Sequence, residues 1–156
     1  MQLTATYNDG GWQQRVAALA GIDIDRAVRK GVNTLAGVAK KEITGKDGLS
    51  KYPRHKRGTP TPSQPGEPPA QVSTALRKSV EETPIVRSGF AAYERSVMPT
   101  MVYARAQELG NPNNRFGVLP ARPFVGPARD RMMANGRAER ILWDAINKEL
   151  DKARGK

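Results

Sequence analysis

The sequence contains no cysteine, one histidine and few aromatic residues. Without cysteine, disulfide bonds and thiolate metal sites are excluded. The one histidine, His55, lies among prolines, lysines and arginines. A Ser–His–Asp system requires a buried and oriented imidazole, which this setting does not predict. We therefore expect His55 to be a solvated or phosphate-facing side chain, and we predict no catalytic residue, no metal ligand and no cofactor.

Long hydrophobic runs are also absent. No stretch of about 18 apolar residues occurs, so we expect no transmembrane helix. The first residues, MQLTATYNDGGWQQR, show no basic segment followed by an apolar run, so no secretory signal is expected. Assembly in a cytoplasm is the simplest expectation. The sequence also lacks the G-x-x-x-x-G-K-[ST] phosphate loop and the signatures of zinc fingers, RNA-recognition motifs and KH domains.

Positive charge is abundant and unevenly distributed. The 156 residues carry a net charge of +11, only 38% of them are apolar, and the mean hydropathy is -0.62. This length predicts a single domain spanning residues 1–156. The positive excess is +3 in residues 45–71 and +5 in residues 111–156. Such a balance favours a polyanion or an acidic protein as partner, and it fits equally well a basic surface that is simply solvated.

The N-terminal part of the chain predicts helices. Residues 2–7 alternate in polarity, which is typical of a short strand or of an arm that pairs with a neighbour. Residues 12–20 read as a short helix. A longer helix is expected to begin near Asp23 or Asp25, because either side chain can cap free backbone N–H groups. Small residues within it, at positions 31 and 37, would allow close packing against another element.

The segment 45–71 holds 6 of the 12 prolines and 4 glycines. This composition excludes a helix or a central strand. We predict an extended or flexible loop within the domain, because a loop of this length is generally functional or disordered. Its basic side chains, which we predict to contact DNA or a protein partner, are Lys46, Lys51, Arg54, Lys56 and Arg57.

The second half of the chain mixes strand and helix signals. Residues 73–80 predict a helical turn or the start of a strand, and residues 83–97 predict a hairpin or bulged strand pair around Ser88 and Gly89. Residues 101–110 fit a short helix, or less well a strand, ending at a glycine cap. A last helix is expected from about Phe124 to Arg154, with a break or bend at Asn135–Gly136.

The stretch LPARPFVGPARDR, residues 119–131, predicts a rigid corner ahead of that last helix. Pro120 and Pro123 fix φ and make the residues before them extended. Phe124 should then reach the core, and Pro127 should fall in the first helical turn, where a missing N–H is tolerated. Arg122, between the prolines, is expected either to contact a neighbouring protein or to cap a carbonyl or pair with Glu108.

Four blocks in this order resemble the tail-completion, or head–tail joining "neck", family of long-tailed bacteriophages. They are the N-terminal helix, SQPGEPPAQVSTALRKSV (63–80), VYARAQELG (102–110) and LPARPFVGPA (119–128). The family often has Thr-Gly before its Leu-Arg pair, where this chain has Thr74 and Ala75.

The resemblance implies an α+β protomer in which a small antiparallel sheet is flanked by an N-terminal helix and a long C-terminal helix. It implies a ring, commonly a hexamer, between the head connector proteins and the tail tube or terminator proteins. Double-stranded DNA would pass through the lumen of this virion structure, which would be assembled in the host cytoplasm. A tail-terminator or minor tail ring protein remains an alternative, as does a stand-alone basic nucleic-acid-binding module.

Overall fold

The computed structural model describes residues 23–115 and 117–153. The strand or arm predicted at 2–7 and the helix predicted at 12–20 lie outside the described residues. The described part is an α+β fold with an N-terminal helix, a small antiparallel sheet region and a long C-terminal helix, as the resemblance implies. Its helices are α1 (Ile24–Thr44), α2 (Ala75–Lys78), α3 (Ala104–Leu109), α4 (Val125–Met133) and α5 (Arg137–Ala153). Its strands are β1 (Val80–Glu82), β2 (Val86–Gly89), β3 (Ala92–Glu94) and β4 (Val97–Pro99).

Helix α1 begins at the first of the two predicted caps. The Asp23 side chain accepts a hydrogen bond from the backbone N–H of Arg26 at 2.8 Å, which satisfies one of the free donors of the first turn. Asp25 lies inside the helix and contacts the β2–β3 hairpin instead. Its carboxylate accepts hydrogen bonds from the Ala91 N–H at 3.2 Å, from Arg87 at 3.0 Å and from the Tyr93 hydroxyl. Burial, and then this bond to Asp25, raises the pKa of Tyr93. Asp25 therefore ties α1 to the hairpin.

The predicted close packing occurs at one of the two glycines. A Cβ atom on Gly31 would lie 2.9 Å from side-chain atoms of both Leu142 and Ile146 on α5. A Cβ on Gly37 would meet nothing within 4 Å. Only Gly31 therefore lies where α1 and α5 approach each other closely.

The strands form two separate antiparallel pairs. In one pair β1 lies beside β4, with Val80 opposite Pro99 and Glu82 opposite Val97. In the other pair β2 lies beside β3, with Val86 opposite Glu94, and a register shift between Arg87 and Gly89. The predicted bulged hairpin is thus confirmed, and the predicted helical turn and strand start at 73–80 are both present as α2 and β1.

The predicted break in the C-terminal helix is confirmed at Asn135–Gly136. Asn135 has φ of 53° and Gly136 has φ of 65°, a left-handed backbone that separates α4 from α5. Glu42 on α1 joins both sides of the break. It accepts hydrogen bonds from Arg131 at 3.1 Å and from Arg137 at 2.6 Å. Burial would raise the pKa of Glu42, but these two bonds outweigh it and hold the pKa below its usual value.

Two hydrophobic clusters lie along α1. The first surrounds the C-terminal half of the helix and contains residues of α1, β1, β4, α3 and α4, together with Leu49 of the long loop. The second surrounds the N-terminal half and joins α1 to Ala91, Tyr93 and Ile146. Because α1 supplies buried residues to both clusters, it is the scaffold on which the hairpin and the proline corner are placed at different ends.

Candidate interaction surfaces around the proline corner

The corner at residues 119–128 places Phe124 and Pro127 as predicted. Phe124 is 1% exposed and lies in the first hydrophobic cluster, where Val125 is also buried. Helix α4 begins at Val125, so Pro127 falls within its first turn. Pro120 and Pro123 precede it in backbone without helix or strand. The corner thus aims α4 into the core through one buried aromatic side chain.

Glu108 on α3 completes this corner from outside the stretch. Its carboxylate accepts hydrogen bonds from the backbone N–H groups of Phe124 at 2.8 Å, Val125 at 2.9 Å and Gly126 at 2.7 Å. These donors belong to the start of α4, where no local side chain acts as a cap. A carboxylate also suits the positive end of a helix dipole. Glu108 therefore caps α4 from another helix.

Arg122 binds a backbone carbonyl, which is one of the alternatives that the sequence leaves open. Its guanidinium donates to the Ser63 carbonyl at 3.3 Å and does not pair with Glu108, which serves α4 instead. Its backbone N–H donates to the Gln107 carbonyl at 2.7 Å. The side chain is partly buried, so the hypothesis that Arg122 projects outward to a neighbour is not favoured by its placement.

The chain packs closely behind the corner. Gly110 ends α3 with φ of 76°, as the predicted glycine cap requires, and a Cβ there would lie 2.9 Å from the Ala121 nitrogen and the Leu119 carbonyl oxygen. Asn111 and Leu119 exchange backbone hydrogen bonds at 2.9 and 3.0 Å. Glycine at position 110 is therefore required by both the backbone conformation and the space.

An open apolar groove runs beside the corner. Its volume is about 660 Å³, and it lies between β4, α3 and the first turn of α4. Exposed apolar side chains line it, namely Met98 at 37%, Val102 at 98% and Leu109 at 66% exposure. Two exposed cations, Arg105 and Arg129, also line it. A contiguous apolar surface with a polar rim is the usual form of a protein interaction site.

The basic loop presents a second surface. The side chains of Lys46, Lys51, Arg54, Lys56 and Arg57 are all exposed. Lys51 forms an ion pair with Glu67 at 2.8 Å and lies 5.4 Å from the centre of the Tyr52 ring. Across residues 23–115 and 117–153, the other four make no ion pair. Hydrogen bonds from Lys51, Tyr52 and the Gln64 N–H lower the pKa of Glu67 to about 2.

Both ends of the long loop are attached to the fold. At its start, the Leu49 N–H donates to the Ile43 carbonyl at 2.8 Å, and Leu49 is 2% exposed. Towards its end, the Gly66 N–H donates to the Ala121 carbonyl of the corner at 2.9 Å. The loop has no helix or strand, as predicted, and the exposed side chains of Arg54, Lys56 and Arg57 lie between these two attachments. Its flexibility remains a prediction.

The one histidine and the acidic residue Glu82 both lie in structural contacts. The His55 backbone N–H donates to the Gln71 carbonyl at 2.8 Å, and its ring Nδ1 lies 3.1 Å from the same oxygen. Glu82 pairs with Arg95 at 3.1 Å. In the described residues, no group of three or more histidine and acidic side chains is placed to hold a metal ion. Nor does any described helix combine the length and hydrophobicity needed to cross a bilayer.

Two features of these surfaces could not be found from the sequence alone. The role of Glu108 depends on a contact across 16 to 18 residues. The sequence gives only an indirect sign of this contact. Phe124, directly ahead of α4, is not a capping residue type, so a cap must come from elsewhere. The groove combines β4, α3 and α4, whose proximity no local pattern predicts.

Comparison with models of known protein families, with curated proteins and with solved structures returned no match.

Proposed function

We propose that this protein is a structural component of the neck of a long-tailed bacteriophage. In this role it joins the head connector to the tail tube as a tail-completion ring around the DNA channel. The ring is a homo-oligomer, and we propose a hexamer. Its axial partners are connector proteins on one side and tail tube or terminator proteins on the other, and it resides in the virion. The role is mechanical and requires neither catalysis nor a cofactor.

One observation carries this proposal. Three of the sequence blocks that resemble the neck family meet at a single corner of the fold. The block at 119–128 forms the corner, and the block at 102–110 caps it through Glu108. The block at 63–80 reaches it through the Gly66 N–H, which donates to Ala121. Blocks that are weak as separate motifs thus form one structural unit, which supports reading them as one family pattern.

The exposed surface is consistent with such a role. The apolar groove offers a site for a neighbouring subunit or ring. The exposed cations of the basic loop offer contacts to phosphates or to an acidic rim, and phosphate contacts carry no sequence information. A ring protein through which DNA passes needs a surface for its neighbours and contacts to DNA that do not depend on sequence, and the groove and the basic loop could provide them.

Electron microscopy of particles tests the proposal directly. In a phage that encodes this chain, a nonsense codon in its gene should leave filled heads and complete tails that do not join. Supplying the protein in trans should restore joined particles. Normal joining without the protein would overturn the proposal. Joined tails of abnormal length would point instead to a tail-terminator or minor tail ring protein.

The basic loop favours a second candidate, a stand-alone nucleic-acid-binding module. Replacing Lys46, Lys51, Arg54, Lys56 and Arg57 with Gln separates the possibilities. Joined particles that leak DNA would indicate a role in the channel, and unjoined heads and tails would indicate docking onto a protein rim. A module would instead bind duplex or single strands as a monomer, with affinity falling steeply as salt rises. The same five substitutions would abolish that binding.

A further inference from the structure

The outer face of the β2–β3 hairpin combines two exposed apolar side chains with one half-buried acidic side chain. Tyr93 points toward α1 and is 6% exposed, so Glu94, the next residue of β3, lies on the opposite face. Val86 is directly opposite Glu94 in the register and is 59% exposed. Phe90, at the turn, is 41% exposed. We name Val86, Phe90 and Glu94 the hairpin patch.

The groove beside the proline corner has the complementary character. Met98, Val102 and Leu109 supply exposed apolar surface, and Arg105 and Arg129 supply positive charge. Within the described part of the chain, Arg105 forms no ion pair, and Arg129 pairs with its neighbour Asp130 at 2.9 Å. Glu94 likewise forms no ion pair in that part of the chain. Glu94 and Arg105 thus have no ion-pair partner in the described part of the chain, and Arg129 pairs only with the residue next to it.

The two surfaces lie at different ends of α1. The hairpin is tied to Asp25 near the start of the helix. The groove includes Phe124 and Val125, which pack in the cluster containing Leu35, Ala39 and Ile43. At ~1.5 Å per residue, Asp25 and this cluster are roughly 20 Å apart along the helix. The hairpin turn that carries Phe90 therefore lies away from the groove of its own subunit. A contact between the hairpin of one copy and the groove of another would be head-to-tail, and such contacts close into a ring when the rotation allows.

We infer that the hairpin patch of one copy docks into the groove of the next copy, with Phe90 entering between Met98 and Val102 and Glu94 facing Arg105 and Arg129. This inference rests on the proposed ring and names the surface through which its subunits meet. The occupant is a second copy of the chain because the hairpin patch supplies apolar side chains that can cover the apolar lining of the groove and a carboxylate that can face its two exposed arginines.

The absence of cysteine makes a direct test possible, since any disulfide must come from introduced residues. A disulfide needs Cα atoms within about 7 Å, which is less than the roughly 20 Å along α1 that separates the hairpin from the groove, so Phe90→Cys and Val102→Cys should not bond inside one subunit. The double variant should therefore form a ladder of dimers and larger species on oxidation. Each single variant should stop at dimers, and Val102→Cys with Arg140→Cys controls for random collision. The oxidation is run on purified protein and on particles.

Charge reversal provides an independent arm. In the double-cysteine background, Glu94→Arg or Arg105→Glu alone should lose the ladder, and their combination should restore it. A double-cysteine variant that forms no more large species than the Arg140 control, both in solution and in particles, overturns the inference.

The outcomes also separate this inference from the proposed function. Rings visible by negative stain without the Phe90–Val102 crosslink would leave the function standing and refute the interface. If the crosslinked ladder forms but heads and tails join normally without the protein, the interface stands and the proposed function is refuted.

Discussion

The carboxylate of Glu108 lies 2.9 Å from the backbone nitrogen of Val125, the first residue of α4. The same carboxylate also accepts from the N–H groups on either side. The start of α4 is therefore held by a side chain from α3 and not by its own capping residue.

Replacing Glu108 with Ala should destabilise the protein by about 1–3 kcal/mol, because partly buried N–H groups lose their acceptor. Glu108→Gln should cost less, since one oxygen remains as an acceptor. Urea unfolding monitored by circular dichroism measures both, and Asp144→Ala, an exposed change on α5, is the matched control. Equal stability of Glu108→Ala and the control would show that the cap contributes nothing.

Phe124→Ala should cost about 3–5 kcal/mol, because it removes a fully buried aromatic side chain from the first hydrophobic cluster. The matched control is Val118→Ala, since Val118 is 75% exposed and should change stability little. Thermal and urea unfolding measure both variants. An unchanged melting temperature in Phe124→Ala would refute the corner as a core anchor.

The two glycines of α1 should respond in opposite directions to alanine. Gly37→Ala should stabilise by up to about 1 kcal/mol, because alanine is the better helix former and nothing lies nearby. Gly31→Ala should destabilise by about 1–3 kcal/mol, because its Cβ would overlap side chains of α5. The pair is compared by urea unfolding. Equal stabilisation by both changes would contradict the close approach of α1 and α5.

Trypsin should cut the native protein first within residues 46–57. Arg54, Lys56 and Arg57 are exposed there, between the attachments of the loop at Leu49 and Gly66. Mass spectrometry of early fragments identifies the site, and the exposed Arg140 within α5 serves as an internal comparison. First cleavage in α5, or resistance of the loop, would refute the predicted flexibility.

Glu149 should make stability depend on pH in the acid range. Hydrogen bonds from Lys30 and Lys152 lower its pKa to about 2 from the usual 4.5. The contribution of a carboxylate with a lowered pKa is complete above the unfolded pKa and is lost as the pH falls through the folded pKa. Glu149→Gln should therefore melt below the unchanged protein at pH 7, and the difference should shrink from about pH 4.5 towards pH 2. Asp144→Asn changes the net charge equally and is the matched control.

Local patterns predicted the parts of the fold that local physics determines. The apolar spacing of α1, the glycine cap at position 110 and the left-handed residues at 135–136 were all readable, because each depends on neighbouring residues. Glu108 and Arg122 show the limit. The sequence allows them to form an ion pair, yet Arg122 binds Ser63 and Glu108 binds α4. The partner of a charged side chain depends on tertiary contacts, and the local spacing of residues in the sequence does not predict these contacts.

The position of α1 beneath both surfaces has a mechanical consequence for the proposed ring. Its 21 residues form a rod of roughly 30 Å, with the hairpin near one end and the groove near the other. Successive subunit contacts would then be spaced by a stiff helix and not by a loop. A helix held by its own backbone hydrogen bonds resists stretching, so the distance between the two contacts of each subunit would change little under load.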